Sequence, residues 1–288
     1  MDLIRGRHLL TTPISRELWH ALQQRSRASG QSVAHIVQRT LAEALDLDHD
    51  AVFQVSTSGA IFDGVFEGFV TIADLRRHGD FGIGTFDSID GELIMLDGQC
   101  YQARSDGSVQ VAADDALTPF ASVCWHQGDL RFEATGPVTW PELERILDTH
   151  RASENATVGI RGDGRFQRLH LRAACRAESG TDLATATRGQ AEFVHEDVSG
   201  TLVGFWTPEF ARAIGIPGYH VHFISDDRTI GGHVLDLQAS ALSVECNWTN
   251  DLRIAMPSQG AFLTADLEGP DAATVKAVEG QAAAARSL

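Results

Sequence analysis

Between Gly218 and Asp236 the chain reads Gly-Tyr-His-Val-His-Phe-Ile-Ser-Asp-Asp-Arg-Thr-Ile-Gly-Gly-His-Val-Leu-Asp, and this stretch restricts the fold more tightly than any other. Alternate side chains of a strand share a face, so His220 and His222 point one way while Val221 and Phe223 pack on the other. The following Ser225-Asp226-Asp227-Arg228-Thr229 has the composition of a turn, and Gly231-Gly232 let the chain double back. His233 on the returning strand would then meet the first two imidazoles. Three neutral imidazoles suit zinc or another borderline divalent ion, and three protein ligands leave coordination positions for a substrate. The bland alternative is three unrelated histidines on a hairpin.

At 288 residues, 43% hydrophobic and 22% charged, the chain is long enough for one large domain or two ordinary ones. No apolar run approaches the roughly 20 residues of a membrane span, and Met1-Asp2-Leu3-Ile4-Arg5-Gly6-Arg7-His8 lacks the apolar core and cleavage site of a secretory leader, so a cytoplasmic location is expected. Cys100, Cys124, Cys175 and Cys246 are too scattered for a disulfide scaffold or a C-x-x-C site, and each reads as a buried, reduced, small apolar residue. The net charge of -16 disfavours polyanion binding by the bulk of the protein. That charge is uneven: residues 1–48 hold six arginines against five acids, and the rest holds seventeen basic against thirty-four acidic residues.

This N-terminal piece reads as a short strand and two helices. His8-Leu9-Leu10-Thr11-Thr12-Pro13-Ile14 is extended in pattern, Ser15 caps a helix from Arg16 to Ala28, Gly30 stops it, and Ser32 caps a second helix with an apolar stripe at Val33, Ile36, Val37, Leu41 and Ala44. So small a unit could hardly bury its own apolar surface, which implies a partner chain. Through Ile14-Ser15-Arg16-Glu17-Leu18 and Gly30-Gln31-Ser32-Val33 it resembles the ribbon-helix-helix family, in which two protomers pair strands and intertwine four helices. In that family the outward strand residues read DNA bases. Here those positions are Leu9, Thr11 and Pro13, which lack the bidentate donors of base readout, so pairing of two copies is the preferred expectation over DNA binding.

Beyond Val52 the pattern is strand-rich. Asp90-Gly91, Asp97-Gly98 and Asp106-Gly107 separate short apolar segments and predict a β-meander. Residues 141–148 predict a helix with a proline start, and Thr157–Arg161 and Phe166–Leu171 predict two strands around Gly162-Asp163-Gly164. Residues 178–190 read as loop, residues 208–214 as a short helix, and the Ala-rich tail from Asp271 as helical or frayed.

In order along the chain, Gly82-Ile83-Gly84-Thr85-Phe86-Asp87 with Asp90-Gly91-Glu92-Leu93, then Tyr101-Gln102-Ala103-Arg104-Ser105-Asp106-Gly107, then the histidine hairpin closely resemble the acetolactate decarboxylases. The resemblance runs from about Val52 to the C-terminal region. It implies a mixed, strand-rich α/β fold of two closely joined sheet-based domains, here 49–288, following a dimerisation module at 1–48. It also implies a Zn2+ ion on His220, His222 and His233, and conversion of 2-acetolactate to acetoin and carbon dioxide. Decarboxylating a 2-hydroxy-3-keto acid leaves an electron pair that needs a sink, which a Lewis-acidic ion bound to both oxygens supplies without an organic cofactor.

The resemblance further implies that Glu92 is the active-site carboxylate and Thr85 its polar neighbour. Read bare, Glu92 after an Asp-Gly turn would be an ordinary solvated carboxylate. The arginine holding the substrate carboxylate corresponds best to Arg172, with Arg161 the competing choice, and a planar guanidinium fork suits that task. A second glutamate, from the C-terminal tail, corresponds to Glu279, with Glu268 as runner-up. His126, His170 and His195 have no ligand spacing and read as structural or surface residues. Two other functions remain open: a cupin-like metal oxygenase, disfavoured because no glutamate follows His222 at the short spacing required, and a metabolite-sensing regulator that binds DNA through residues 1–48.

Overall fold

Three Asp-Gly dipeptides fold the middle of the chain back on itself. The strands Phe81–Thr85, Glu92–Leu96, Gln99–Ala103 and Val109–Val111 are consecutive antiparallel neighbours. At the tightest link, Asp97 (φ 51°) and Gly98 (φ 78°) both take the left-handed backbone that a two-residue hairpin turn of type I′ requires. Phe120–Cys124, Ala51–Val55 and Asp251–Ala255 extend this sheet to seven strands. Only the last pairing, between Asp251–Ala255 and Ala51–Val55, is parallel. The computed structural model describes residues 3–4, 7–8, 10–29, 32–45, 51–151, 153–249 and 251–279.

A second sheet has five strands in the order Leu130–Thr139, Gly231–Thr249, Thr157–Ala173, Ala191–Thr207 and Gly218–Ser225. Gly218–Ser225 also pairs with the start of Gly231–Thr249, through His222↔His233, Phe223↔Gly232 and Ile224↔Gly231. Four of the five strands therefore close on themselves. Phe166, Leu169, Leu171, Leu202, Val221 and Phe223 fill the enclosed face, with the Phe166 and Phe223 rings edge to face at 5.1 Å. The helix Trp140–His150, which carries a proline in its first turn, packs Trp140, Leu143 and Leu147 onto the same cluster.

The outer face of this closed sheet meets the seven-stranded one. Phe81, Ile83, Ile94 and Leu96 on one side pack against Val203, Phe205 and Ile224 on the other. Emptying such a contact, as Phe205→Ala would, costs about 3–5 kcal/mol. Strand parity follows from these clusters: Leu93 and Met95 face away from the second sheet, whereas Glu92 shares the face of Ile94, and Thr85 that of Ile83. Likewise His220 and His222 share the face of Ile224, while Val221 and Phe223 turn inward.

The N-terminal helices form at Arg16–Ser29 and Val33–Ala44. The strand expected over residues 8–14 would pair with a second copy; within the single chain residues 10–15 make no ladder, and a short pairing joins Leu3 and Ile4 to His8 and Arg7. The Gly30-Gln31 turn, Leu9 and the boundary placed at 48/49 lie outside the described residues. Gly162-Asp163-Gly164 is no turn either. Thr157–Ala173 is one 17-residue strand, because Gly162, Asp163 and Gly164 pair on both sides, with Leu202, Thr201 and Gly200 and with Val244, Ser243 and Leu242. Residues 178–190, expected as loop, contain the helix Leu183–Ala186 and a 3-10 turn at Thr187–Gly189; Asp182 caps that helix by accepting from Thr185 N at 2.9 Å. The helix expected over 208–214 shrinks to one 3-10 turn at Glu209–Ala211. The tail is helical from Ala272 to Glu279. Cys100, Cys124 and Cys246 are buried thiols as expected, whereas Cys175 is half-buried. No described helix is long and apolar enough to cross a membrane.

Candidate active site

The histidine hairpin lands in register. His222 sits directly across from His233, and on its other side His233 faces Arg172, so three neighbouring strands place His222, His233 and Arg172 in one row. His220 lies one pleat further along the first strand, on the same face. A Cβ at Gly232 would stand 2.7 Å from the Arg172 carbonyl oxygen, so only glycine lets the returning strand approach this closely. The result is a cluster in which each of the three imidazoles offers a nitrogen within 4.8 Å of the others'.

Burial and hydrogen bonding fix the state of two of these rings, His220 and His222. His222 is fully buried, and its Nδ1 donates to the Leu93 carbonyl oxygen at 2.9 Å. That bond holds the proton on Nδ1 and leaves the Nε2 lone pair directed into the cluster, where it lies 3.2 Å from His220 Nε2. Burial pushes His222 down to about 3; its bond to Leu93 opposes the shift and the Arg172 charge adds to it. Burial, then His222 and Arg172, hold His220 well below its ordinary value. Neutral imidazoles with inward lone pairs are what a divalent cation binds, so the cluster is capable of coordinating a metal ion.

The facing sheet brings carboxylate and hydroxyl to this row. Glu92 and Thr85 are direct ladder partners. Glu92 is buried rather than solvated, with Oε1 accepting from Ala174 N at 3.1 Å and Oε2 lying 3.5 Å from His222 Nε2. Thr85 Oγ1 donates to the Gly91 carbonyl oxygen at 2.7 Å, which braces the turn that delivers Glu92. A pocket opens here, and its polar wall includes Thr85, Glu92, Arg172, Thr187 and His220. Its apolar wall is built by Ile61, Ile89, Phe120, Leu183, Ile216 and Val278.

The two candidate arginines separate cleanly. Arg172 lines the pocket, buried, with Nη1 donating to Gln190 Oε1 at 3.1 Å. Arg161 is outside the pocket's lining and forms ion pairs with Asp97 at 2.8 Å and Asp163 at 3.0 Å. Of the two tail glutamates, Glu279 ends a helix whose preceding residue, Val278, lines the pocket; its side chain lies outside the described residues. Glu268 is exposed and is not part of the pocket's lining. Among the other histidines, His170 bonds Glu192 at 2.9 Å, and His126 is buried beside Glu245 at 3.8 Å, the structural role expected. Leu183, Thr187 and Gln190 were not anticipated, because they come from the polar segment read as loop.

Two sheets packed face to face bring a buried histidine cluster capable of coordinating a metal ion, a buried glutamate and an arginine to one pocket, the arrangement of an enzyme active site. The alpha-acetolactate decarboxylase family profile matches residues 52–269. The alpha-acetolactate decarboxylase of Lactococcus lactis subsp. cremoris is 42% identical over 218 residues, 75% of this chain and 92% of that protein. That of Methanosarcina mazei is 41% identical over 219 residues, 76% of each chain. The crystal structure of alpha-acetolactate decarboxylase from Bacillus subtilis strain 168 superposes with a TM-score of 0.77 at 34% identity, covering 80% of this chain and 99% of that one. The chain belongs to the alpha-acetolactate decarboxylase family and is a carboxy-lyase.

Proposed function

We propose that this protein converts 2-acetolactate to acetoin and carbon dioxide, with a zinc ion held by His220, His222 and His233. The observation that carries the reading is that the three-histidine cluster reaches, through His220, a pocket also lined by Glu92 and Arg172, in a chain of this family. When bound, the ion supplies Lewis acidity toward the substrate's ketone and hydroxyl oxygens, the electron sink that decarboxylation demands. Arg172 receives the substrate carboxylate on its fork. The bond from C-2 to the carboxylate breaks, carbon dioxide leaves, and the electron pair passes into the neighbouring ketone as an enediolate. Glu92 handles the proton that carbon then needs. Its Oε1 is committed to Ala174 N, so Oε2, the oxygen near His222, is the one that gives it. The apolar wall of Ile61, Ile89, Phe120 and Leu183 restricts water around the reacting centre. Thr85 keeps the Glu92 turn in place, and Glu279 is assigned to the same site from the tail helix.

Glu92→Gln tests this assignment: the isostere should retain the metal and lose about 10²–10⁴-fold in acetoin formation. Wild-type turnover in that variant would contradict it.

Residues 1–48 are assigned to assembly, as a module that pairs two copies ahead of the catalytic region 49–288. Leu18, Trp19 and Leu41 are 49%, 45% and 44% exposed on its helices in the single chain, surface that a second copy would cover. Deleting the segment should leave acetoin formation per histidine site unchanged and reduce the molar mass seen by light scattering. An unchanged mass together with lost binding to DNA would favour the regulator instead.

A further inference from the structure

The sheet does not hold the three imidazoles equally. Gly218–Ser225 pairs along its whole length with Ala191–Thr207, but its ladder with the returning strand covers His222, Phe223 and Ile224 and stops there. His222 and His233 face each other inside that second ladder. His220 lies two residues before it, on a stretch that is paired on one side, through Phe205↔His220. Strand ends with half their ladder are the parts of a sheet that open most readily. Of the three histidines, His220 is also the one that lines the pocket.

The residue before it, Tyr219, turns to the opposite face and supplies another anchor. Its Oη donates to Asp148 Oδ1 at 2.7 Å and accepts from Arg151 Nη1 at 3.0 Å. Arg151 also lies over the Trp206 ring, 3.8 Å from its centre, and Trp206 is the ladder partner of Tyr219. One guanidinium therefore grips both members of the rung next to His220. Asp148 lies in the last turn of the helix Trp140–His150 and Arg151 follows its end, with Arg151 N donating to the Leu147 carbonyl oxygen at 2.9 Å. That helix is seated in the core by Trp140, Leu143 and Leu147, so the latch is fastened to a fixed point.

We propose that Tyr219 is a positioning residue for the metal site: its hydroxyl, latched between Asp148 and Arg151, holds the singly paired start of the strand so that His220 meets the ion together with His222 and His233. The inference rests on the metal reading given above. His222 is aimed by its own bond to the Leu93 carbonyl oxygen. Tyr219 serves His220 through the backbone, because a pivot of the strand that releases one carries the other with it. Tyr219→Phe is a clean probe, since the ring stays and Asp148 and Arg151 keep each other as partners.

Tyr219→Phe and Arg151→Ala, made in the full-length protein, test this with Co2+ as the probe. The readouts are Co2+ affinity by competition with a chelator, the visible absorption of the saturated protein, and the urea midpoint. Tyr219→Phe should weaken Co2+ about tenfold, the lower end of what losing an outer-shell partner costs, and alter the absorption bands of the bound ion. Arg151→Ala, which also removes the stack on Trp206, should weaken Co2+ at least as much. Wild-type affinity and spectrum in either variant would overturn the proposal, and a lowered urea midpoint beside them would make the latch a purely structural one. A wild type that takes up no Co2+ would refute the metal reading and the proposal together. None of these readouts needs turnover, so a protein that binds Co2+ but forms no acetoin would refute the substrate reading while still judging Tyr219.

Discussion

The strand Thr157–Ala173 carries an arginine near each end, and the two have opposite surroundings. Arg161 is clamped by Asp97 and Asp163; burial lowers its proton affinity, but the two carboxylates more than compensate and raise it. Asp163 is in turn held by Thr201 Oγ1 at 2.8 Å. This end of the strand is a closed network that ties the closed sheet to the Asp97-Gly98 turn of the other sheet. Arg172, eleven positions on, meets the amide of Gln190 and looks into a pocket shared with Glu92 and His220. Residue type and strand are the same at both ends, so the partner decides the role. The guanidinium of Arg161 joins parts of the fold through Asp97 and Asp163, and that of Arg172, which lines the cavity, is the one proposed to meet a carboxylate from outside.

Substituting each arginine sharpens the contrast. Arg172→Ala should raise KM for 2-acetolactate by about 10²-fold or more, the loss expected when a buried, charge-assisted contact worth about 3 kcal/mol is removed, while melting near the wild-type temperature. Arg161→Ala should do the reverse: steady-state constants close to wild type, and stability to urea reduced by about 1–3 kcal/mol because Asp97 and Asp163 lose their shared partner. A raised KM in Arg161→Ala would erase the distinction between the two ends.

A smaller effect separates the same two ends by pH. Burial keeps His222 at about 3, against an ordinary 6.5, and holds His220 well below the same value. In the metal-free protein both stay neutral when folded, whereas the unfolded chain takes up protons below about 6.5. The unfolded state therefore binds more protons, and stability falls as pH drops from about 6.5 toward 3, by up to about 1.4 kcal/mol per pH unit for each histidine. Melting curves of chelated protein at pH 7 and pH 5 measure this, and His222→Gln should flatten the slope. The guanidinium at the Arg161 end contributes no such slope, because its already high proton affinity is raised further and it stays charged across this range.

Much of the pocket was legible before any coordinates because its parts carry local signals. The H-x-H pair follows from period-two alternation, and the Asp97-Gly98 turn from the demand for left-handed backbone. Glu92 and Arg172 could be placed only through the resemblance, since a carboxylate after a turn and an arginine on a strand look the same whether buried or solvated. What stayed hidden depends on register between distant segments. The closure of the sheet at His222↔His233 has no local mark. Gly162-Asp163-Gly164 has turn composition but is paired on both sides, so tertiary pairing overrode propensity. The segment before Gln190 was hidden for a related reason: it is polar, and it becomes ordered through an Asp182 cap and a few tertiary contacts rather than an apolar stripe.

Decarboxylation is proposed to depend on an ion held by three histidines of one hairpin, His220, His222 and His233. This dependence is tested most directly by loading wild-type and His233→Ala protein with zinc side by side, measuring bound metal per chain, and following acetoin and carbon dioxide from racemic 2-acetolactate. About one zinc per wild-type chain and equimolar products are expected. For His233→Ala the expected result is loss of the ion together with a fall in rate greater than the roughly 10–100-fold that removing an outer-shell partner costs. Undiminished acetoin formation by His233→Ala, or by wild-type protein stripped of metal, would contradict it.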